Sequence, residues 1–349
     1  MTKAAHITAL AGLIIIPLYV LASVVHQGHV NMMMLACFVG LSLSLPNKWL
    51  SGFGLYISVW WLTVYLMVFS GMLDIVFNAV TIDAALFLIF ASVIFLAVYH
   101  SKYSNNTWFN IICISALIQC AIGILQYFNL DLVSWGLSHF VKVEGDFPFN
   151  TPCGTLGNPN FLGAYVAIAT PLFIRDKWFW FIPVLFFTLY IAHTSMAVMA
   201  VVIGLSYFIG GWRLVVVSSL CIILYATLVN PHDGFGNERV GMWIDGIQKI
   251  THSWESILFG FGPGIQWKAG DQLHNEYLMT VWNYGLIGLT FLIGFIFTIH
   301  RQNRWLFTAF IILCVDMIGN HALHTTPTAL LAVVIIALIE RERNEKQRA

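Results

Sequence analysis

The sequence predicts an all-α polytopic membrane protein of about twelve transmembrane helices with two longer loops on one side. Three observations carry that prediction. Of 349 residues, 59% are hydrophobic and 9% are charged, where a soluble domain carries about 25% charged. Mean hydropathy is +0.82. Apolar runs close to the ~20 residues that cross a hydrocarbon layer recur along the whole chain. The basic residues then fall on alternate sides of those runs in a consistent pattern. A single water-soluble core is excluded, and a formal net charge of 0 leaves no electrostatic footprint for nucleic acid.

In chain order the spans lie near 6–25, 30–46, 53–72, 80–99, 107–127, 160–174, 178–193, 195–211, 214–229, 276–299, 304–320 and 327–340. The first is read as retained, because it lacks a small-residue cleavage site and Lys3 is its whole basic flank. Several spans are short, and the break between the seventh and eighth is the weakest. The entire chain, 1–349, reads as one integral membrane domain without repeats or low-complexity linkers.

Lys and Arg set the orientation. With the N-terminus cytoplasmic, the inner side holds Lys3, Lys48, Lys102, Arg175, Lys177, Arg213, Arg301, Arg304, Arg341, Arg343, Lys346 and Arg348, which is 12 of the 16 basic residues. Lys142, Arg239, Lys249 and Lys268 face out, with 10 of the 16 acidic residues, Glu276 among them. Both termini are expected inside. The basic tail "RERNEKQRA" reads as an inner-face anchor. Five cysteines sit within spans and Cys153 stands alone outside, so no intrachain disulfide is expected there. No Cys or His spacing suggests a metal site.

Two loops are long, about 128–159 and 230–275, and both are expected outside, where long ordered loops carry function. In the second, Val240, Trp243, Ile244, Ile247 and Ile250 recur at helical spacing. Glu238, Arg239, Asp245, Gln248 and Lys249 fall mostly on the other side. The pattern predicts an amphipathic helix over about 238–252, lying along the membrane–water boundary. A Gly/Pro stretch, "GFGPGIQW", then turns the chain back toward the membrane.

The tenth span opens on polar residues, "HNEYLMTVWNYGLIGL" (274–289). A helix N-terminus attracts anions and lowers the pKa of a nearby imidazole, keeping His274 neutral and able to accept a proton. With Arg239 in the same loop, that chemistry suits phosphate-activated group transfer. The competing reading makes His274 and Asn275 ordinary interfacial caps.

Four segments, in order, resemble the O-antigen ligase and O-antigen polymerase superfamily, which also contains bacterial O-linked oligosaccharyltransferases. "GTLGNPNFLGAYVAIATPLF" (154–173) is similar to its Gly-Asn-Pro-Asn entry to a central helix. "ERVGMWIDGIQKI" (238–250) resembles its Arg-x-x-x-Trp helix, and "LFGFGPGIQW" (258–267) its Gly-x-Gly-Pro-Gly turn. The stretch 274–289 fits its His-Asn, nine residues, Gly, two residues, Gly-Leu signature. The resemblance covers about 154–289 and does not separate the superfamily's members.

It implies a metal-independent, inverting, membrane-embedded glycosyltransferase without a cofactor. Its substrates would be an undecaprenyl-pyrophosphate-linked glycan and an acceptor such as lipid A-core, met at the outer face of a bacterial inner membrane. His274 would be the catalytic histidine. Arg239 would hold the donor pyrophosphate through parallel hydrogen bonds. Asn275, Asn158, Asn160 and Trp243 would bind substrate. One departure stands out: where the family carries Ser-Arg at the outer start of a central helix, this chain has Ser195-Met196. His193 or Lys268 is then the substitute cation.

Each residue also has a plainer reading. Arg239 suits an interfacial partner for Glu238 or a lipid phosphate. Asn158 reads as an N-cap before Pro159. Gly285 and Gly288 permit close packing. His321 and His324 suit either an interface or an acceptor cavity. Asp316, inside a span, suits proton coupling or a hydrogen-bonded packing role. Asp83 reaches the interface, and "NMMML" (31–35) contacts lipid. Beyond transfer to a lipid acceptor, the rival activities are repeat-unit polymerisation and transfer to protein. A transporter or flippase for lipid-linked sugars would put more charge inside spans and show inverted repeats. A scaffold would leave the order of the four segments unexplained.

Overall fold

The structure is a computed structural model that describes residues 91, 94–130, 152–175, 177–228, 237–261, 273–299, 303–320, 322–323 and 326–348. The first three expected spans and most of the fourth lie outside the described residues. So do Asp83, the 31–35 run, Lys268, His321 and His324. Among the described residues every regular element is helical.

The elements are α1 (Asn105–Tyr127), α2 (Pro159–Ile174), a 3-10 turn (Lys177–Phe181), α3 (Ile182–Ile191), α4 (Ser195–Leu228), α5 (Asn237–Ile250), α6 (Trp254–Phe259), α7 (Glu276–Thr298), α8 (Arg304–Asp316) and α9 (Thr326–Arg348). Each expected span from the fifth onward coincides with a helix. Three helical stretches are long and apolar enough to cross a membrane: Asn105–Tyr127, Ser195–Leu224 and Glu276–Thr298. This is a membrane protein by that measure. With 10 residues, α3 reaches about 15 Å and does not cross a ~30 Å layer by itself.

Helix α2 is the centre of the bundle. It is buried from Leu162 through Phe173, so no face of it reads as polar. Around it pack α1, α3, α4, α8 and α9. Close approach follows from missing side chains: a Cβ on Gly204 of α4 would stand 2.3 Å from Ile312 of α8. Beyond Gly211 the chain carries exposed apolar residues, including Val216, Leu220 and Leu224, as a lipid-facing surface does. Gly211 itself has φ 64° and ψ −156°, which breaks α4 where the sequence separates the eighth and ninth spans.

Gly285 breaks α7 in the same way, with φ 65° and ψ −167°. A Cβ there would lie 2.1 Å from the Leu258 carbonyl oxygen, and one on Gly260 would lie 2.6 Å from the Asn283 carbonyl carbon. The end of α6 therefore rests backbone against backbone on the break, and the Phe261 N–H donates to the Trp282 carbonyl at 2.7 Å. Close packing is the role of Gly285, as expected, but its partner is the loop helix α6. At Gly288 the nearest obstacle to a Cβ is Tyr284 of the same helix.

Candidate active site

Helix α5 carries two adjacent stripes. Val240, Ile244 and Ile247 are exposed, which leaves an apolar edge for the membrane surface. Arg239, Trp243, Gly246 and Ile250 follow one another at i, i+4, i+7 and i+11 and turn inward. The Trp243 Nε1 donates to the Leu273 carbonyl at 2.6 Å. A Cβ on Gly246 would stand 2.5 Å from Leu273, and Ile250 is buried with Leu273, Val281 and Trp282. This corrects the expected helical wheel: Arg239 does not share the outer face of Asp245, Gln248 and Lys249, because its neighbours Trp243 and Ile250 anchor its own stripe to α7.

At the start of α7, Asn275 is the N-cap, and its side chain accepts from the Leu278 N–H at 3.0 Å. His274 precedes the cap with φ 45°, a left-handed conformation that costs a non-glycine residue about 1–3 kcal/mol and so is held by its surroundings. The helix thus begins two residues later than a start at His274. Glu276, expected at the outward-facing start of the tenth span, is buried. Its N–H donates to the Met317 carbonyl at 2.8 Å and its Oε2 accepts from the Leu323 N–H at 3.1 Å. The Tyr277 hydroxyl donates to the Cys314 carbonyl at 2.8 Å. These bonds fasten the head of α7 to the tail of α8.

That tail supplies the other half of the site. The Asp316 side chain is fully buried, and its Oδ1 accepts from Asn320 Nδ2 at 2.8 Å. Its Oδ2 meets no hydrogen-bond donor among the described residues. The Arg239 guanidinium donates to the Gly319 carbonyl. Burial lowers the pKa of Arg239, and the Asp316 carboxylate opposes that shift. Met196 stands directly against Gly319, where a Cβ would come within 2.5 Å of its side chain. The position at which the resembled family has a second arginine is therefore beside the peptide that Arg239 grips.

His274 and Arg239 share this site. Burial, and after it the charge of Arg239, pushes the His274 pKa down to about 4. The shift favours the neutral form expected at the helix end, with a different cause: removal from water comes first and the guanidinium second. A neutral imidazole can take a proton. A guanidinium with five N–H donors can hold the Gly319 carbonyl and still present donors to an oxyanion.

The remaining expected site residues are not drawn in. Asn158 is an N-cap whose side chain accepts from the Asn160 N–H at 2.8 Å. The segment before it is clamped to α1: Gln126 accepts from the N–H groups of Cys153 and Gly154 and donates to the Gly154 carbonyl, while Gln119 accepts from the Thr155 N–H. No bond links Asn158 or Asn160 to His274 among the described residues. His193 is exposed with φ 51°, its ring 6.2 Å from that of Tyr190. Lys268 lies outside the described residues.

Three participants had weaker signals in the sequence. Asp316 was visible only as a carboxylate within an apolar run. Gly319 contributes a backbone carbonyl, which no side-chain pattern reveals. Glu276 looked like charge at the outward-facing start of a span. Among the described residues no group of three His, Cys, Asp or Glu side chains is placed to hold a metal ion. Set against known protein families, curated proteins and solved structures, the chain matches none of them.

Proposed function

We propose that this protein is a membrane-embedded, inverting glycosyltransferase of the O-antigen ligase type, moving a glycan from undecaprenyl pyrophosphate to an acceptor hydroxyl. The observation that carries this reading is that the charge of Arg239, from a separate element, acts on a half-buried His274, with the buried Asp316 carboxylate acting on the same guanidinium. His274 takes the proton of the acceptor hydroxyl. The acceptor oxygen attacks the anomeric carbon as the bond to the pyrophosphate oxygen breaks, inverting the configuration. Arg239, held by the Gly319 carbonyl and supported by the charge of Asp316, neutralises the pyrophosphate that departs. Trp243 holds Leu273, and so the approach to His274, in place. Positioning and charge stabilisation supply most of the rate.

The same reading places the protein in a bacterial inner membrane with about twelve spans, both termini cytoplasmic and the site facing out. The order of the four sequence segments supports it. So do the three apolar helices and the exposed apolar edge of α5. Asn158, Asn160, His193 and Lys268 remain candidates for contact with the glycan or its carrier.

The test uses purified protein, an undecaprenyl-pyrophosphate glycan and a panel of lipid and protein acceptors. Wild type should release undecaprenyl pyrophosphate and join the glycan to one acceptor, and folded His274→Ala should not. Normal transfer by that variant would overturn the assignment. Movement of the lipid across liposomes without cleavage would identify a transporter instead.

A further inference from the structure

The opposite end of α8 holds a second polar cavity that the proposed reaction does not use. It measures about 620 Å³, within the ~300–1,000 Å³ typical of small-ligand sites, and is a shallow groove broadly open to its surroundings. Its described lining is Asn105, Arg175, Asn303, Arg304, Trp305, Glu342, Glu345 and Lys346. The helices α1 and α8 both begin here, at Asn105 and Arg304, so two positive helix ends converge on it. Three cations add to that field. Arg175 is held by Asn106 at 2.7 Å and stands over the Phe109 ring, and Arg304 stands over the Phe208 ring, so both guanidinium planes are fixed.

The cavity is not uniformly basic. Glu342 is pinned into it by two amides: Asn105 Nδ2 donates at 2.7 Å and Asn303 Nδ2 at 2.8 Å. Asn105 Oδ1, the other end of the first amide, is buried and meets no donor among the described residues. Glu345 is balanced by Arg341 at 2.9 Å. A simple anion would find the Glu342 carboxylate in its way. A group carrying both a phosphate and a primary ammonium satisfies both halves. Its phosphate oxygens meet Arg175, Arg304 and Lys346, while its N–H donors reach the Glu342 carboxylate.

We propose that this cavity binds the headgroup of a phospholipid bearing phosphoethanolamine. A lipid source follows from the setting. The cavity lies at the ends of helices whose lengths are apolar, among Arg175, Arg304, Arg341, Arg343 and Lys346, with Trp305 in its lining. Basic and aromatic side chains of this kind sit at the headgroup level of a bilayer. Glu342 supplies the selection for an amine that still has its protons.

The test is native mass spectrometry and thermal unfolding of the detergent-purified wild-type chain, titrated with phosphatidylethanolamine, its N-monomethyl and N,N-dimethyl forms, phosphatidylcholine, phosphatidylglycerol and soluble glycerophosphoethanolamine. Phosphatidylethanolamine should be retained one per chain and raise the unfolding temperature. Affinity should fall stepwise with each added methyl, to about tenfold weaker or less for phosphatidylcholine, as charge-assisted N–H bonds are lost. Glu342→Gln should flatten that methylation series, and Arg304→Gln should weaken every phospholipid alike. Equal retention of phosphatidylcholine or phosphatidylglycerol would overturn the headgroup assignment. Equal binding of glycerophosphoethanolamine would overturn the lipid source.

Discussion

Helix α8 has two chemically different ends about 18 Å apart along its axis. At the Arg304 end, side chains satisfy one another: the Asn303 cap accepts from Trp305 and Leu306, donates to Glu342, and Glu342 accepts a second amide from Asn105. At the Asp316 end the fixed groups are mostly backbone. Arg239 leans on the Gly319 carbonyl, the Glu276 N–H donates to the Met317 carbonyl while its carboxylate accepts from the Leu323 N–H, and His274 is held in a left-handed turn. The first end uses its polar side chains to build structure. The second uses mostly backbone groups for structure, with the His274 imidazole and the Arg239 guanidinium placed beside them.

The sharpest way to break that contrast is His274→Ala. Removing a general base should lower transfer by about 10²–10⁴-fold, measured as released undecaprenyl pyrophosphate, while the unfolding temperature stays put. An unfolding temperature that drops with activity would make His274 structural, and the two ends of α8 alike.

Gly285→Ala probes what holds the second end together. Its φ and ψ belong to a region open to glycine, and the new methyl would press on the Leu258 carbonyl. The expected loss is roughly 3 kcal/mol of stability, read from unfolding in detergent. Activity should fall with it, because α6 and the break in α7 support the wall on which α5 and Arg239 rest. Wild-type stability in this variant would show that α6 does not brace the site.

How much of this was legible beforehand follows from the kind of signal each part sends. Apolar runs are long-range and redundant, so helices from Asn105 onward fell where expected, down to the break at Gly211. The amphipathic period of α5 was also legible, but the wheel could not say which stripe faces inward. That choice depends on Leu273 and Val281, far along the chain. His274 and Arg239 carried motif-level signals because both fall within segments that resemble a known superfamily. Asp316, Gly319 and Glu276 did not, since burial and carbonyl direction are properties of the packed state. Asn158 shows a local signal read correctly: the Asn-Pro pair marks the start of α2, and the Asn158 side chain caps it by accepting from the Asn160 N–H.

Acidity separates the two ends more finely. A base must be deprotonated to act, so transfer falls as pH drops through the His274 pKa. With that pKa at about 4, activity should stay flat from pH 8 to about 5 and fail below, whereas an ordinary histidine would fail near 6.5. Arg239→Gln should cut the rate by about 10²-fold through lost charge stabilisation. It should also move the acid limb upward, but short of 6.5, because burial is the larger cause of the depression and remains. A limb unmoved by Arg239→Gln would separate the two side chains and remove the basis for a shared site.

The smallest effect belongs to the Arg304 end. Asn303→Ala deletes the cap that accepts from Trp305 and Leu306, which should cost about 1 kcal/mol, with the lost donor to Glu342 adding to it. Asn303→Asp keeps an accepting cap oxygen but sets a carboxylate against Glu342, so it should recover the cap without the bridge and fall between wild type and alanine only if the cap dominates. In both variants transfer and its acid limb should match wild type, since nothing at His274 or Arg239 depends on that network. If either variant shifts the limb, α8 transmits strain along its length and its ends act as one unit. If neither does, the same helix carries two independent tasks, and the polar residues at its Arg304 end are explained by folding and lipid alone.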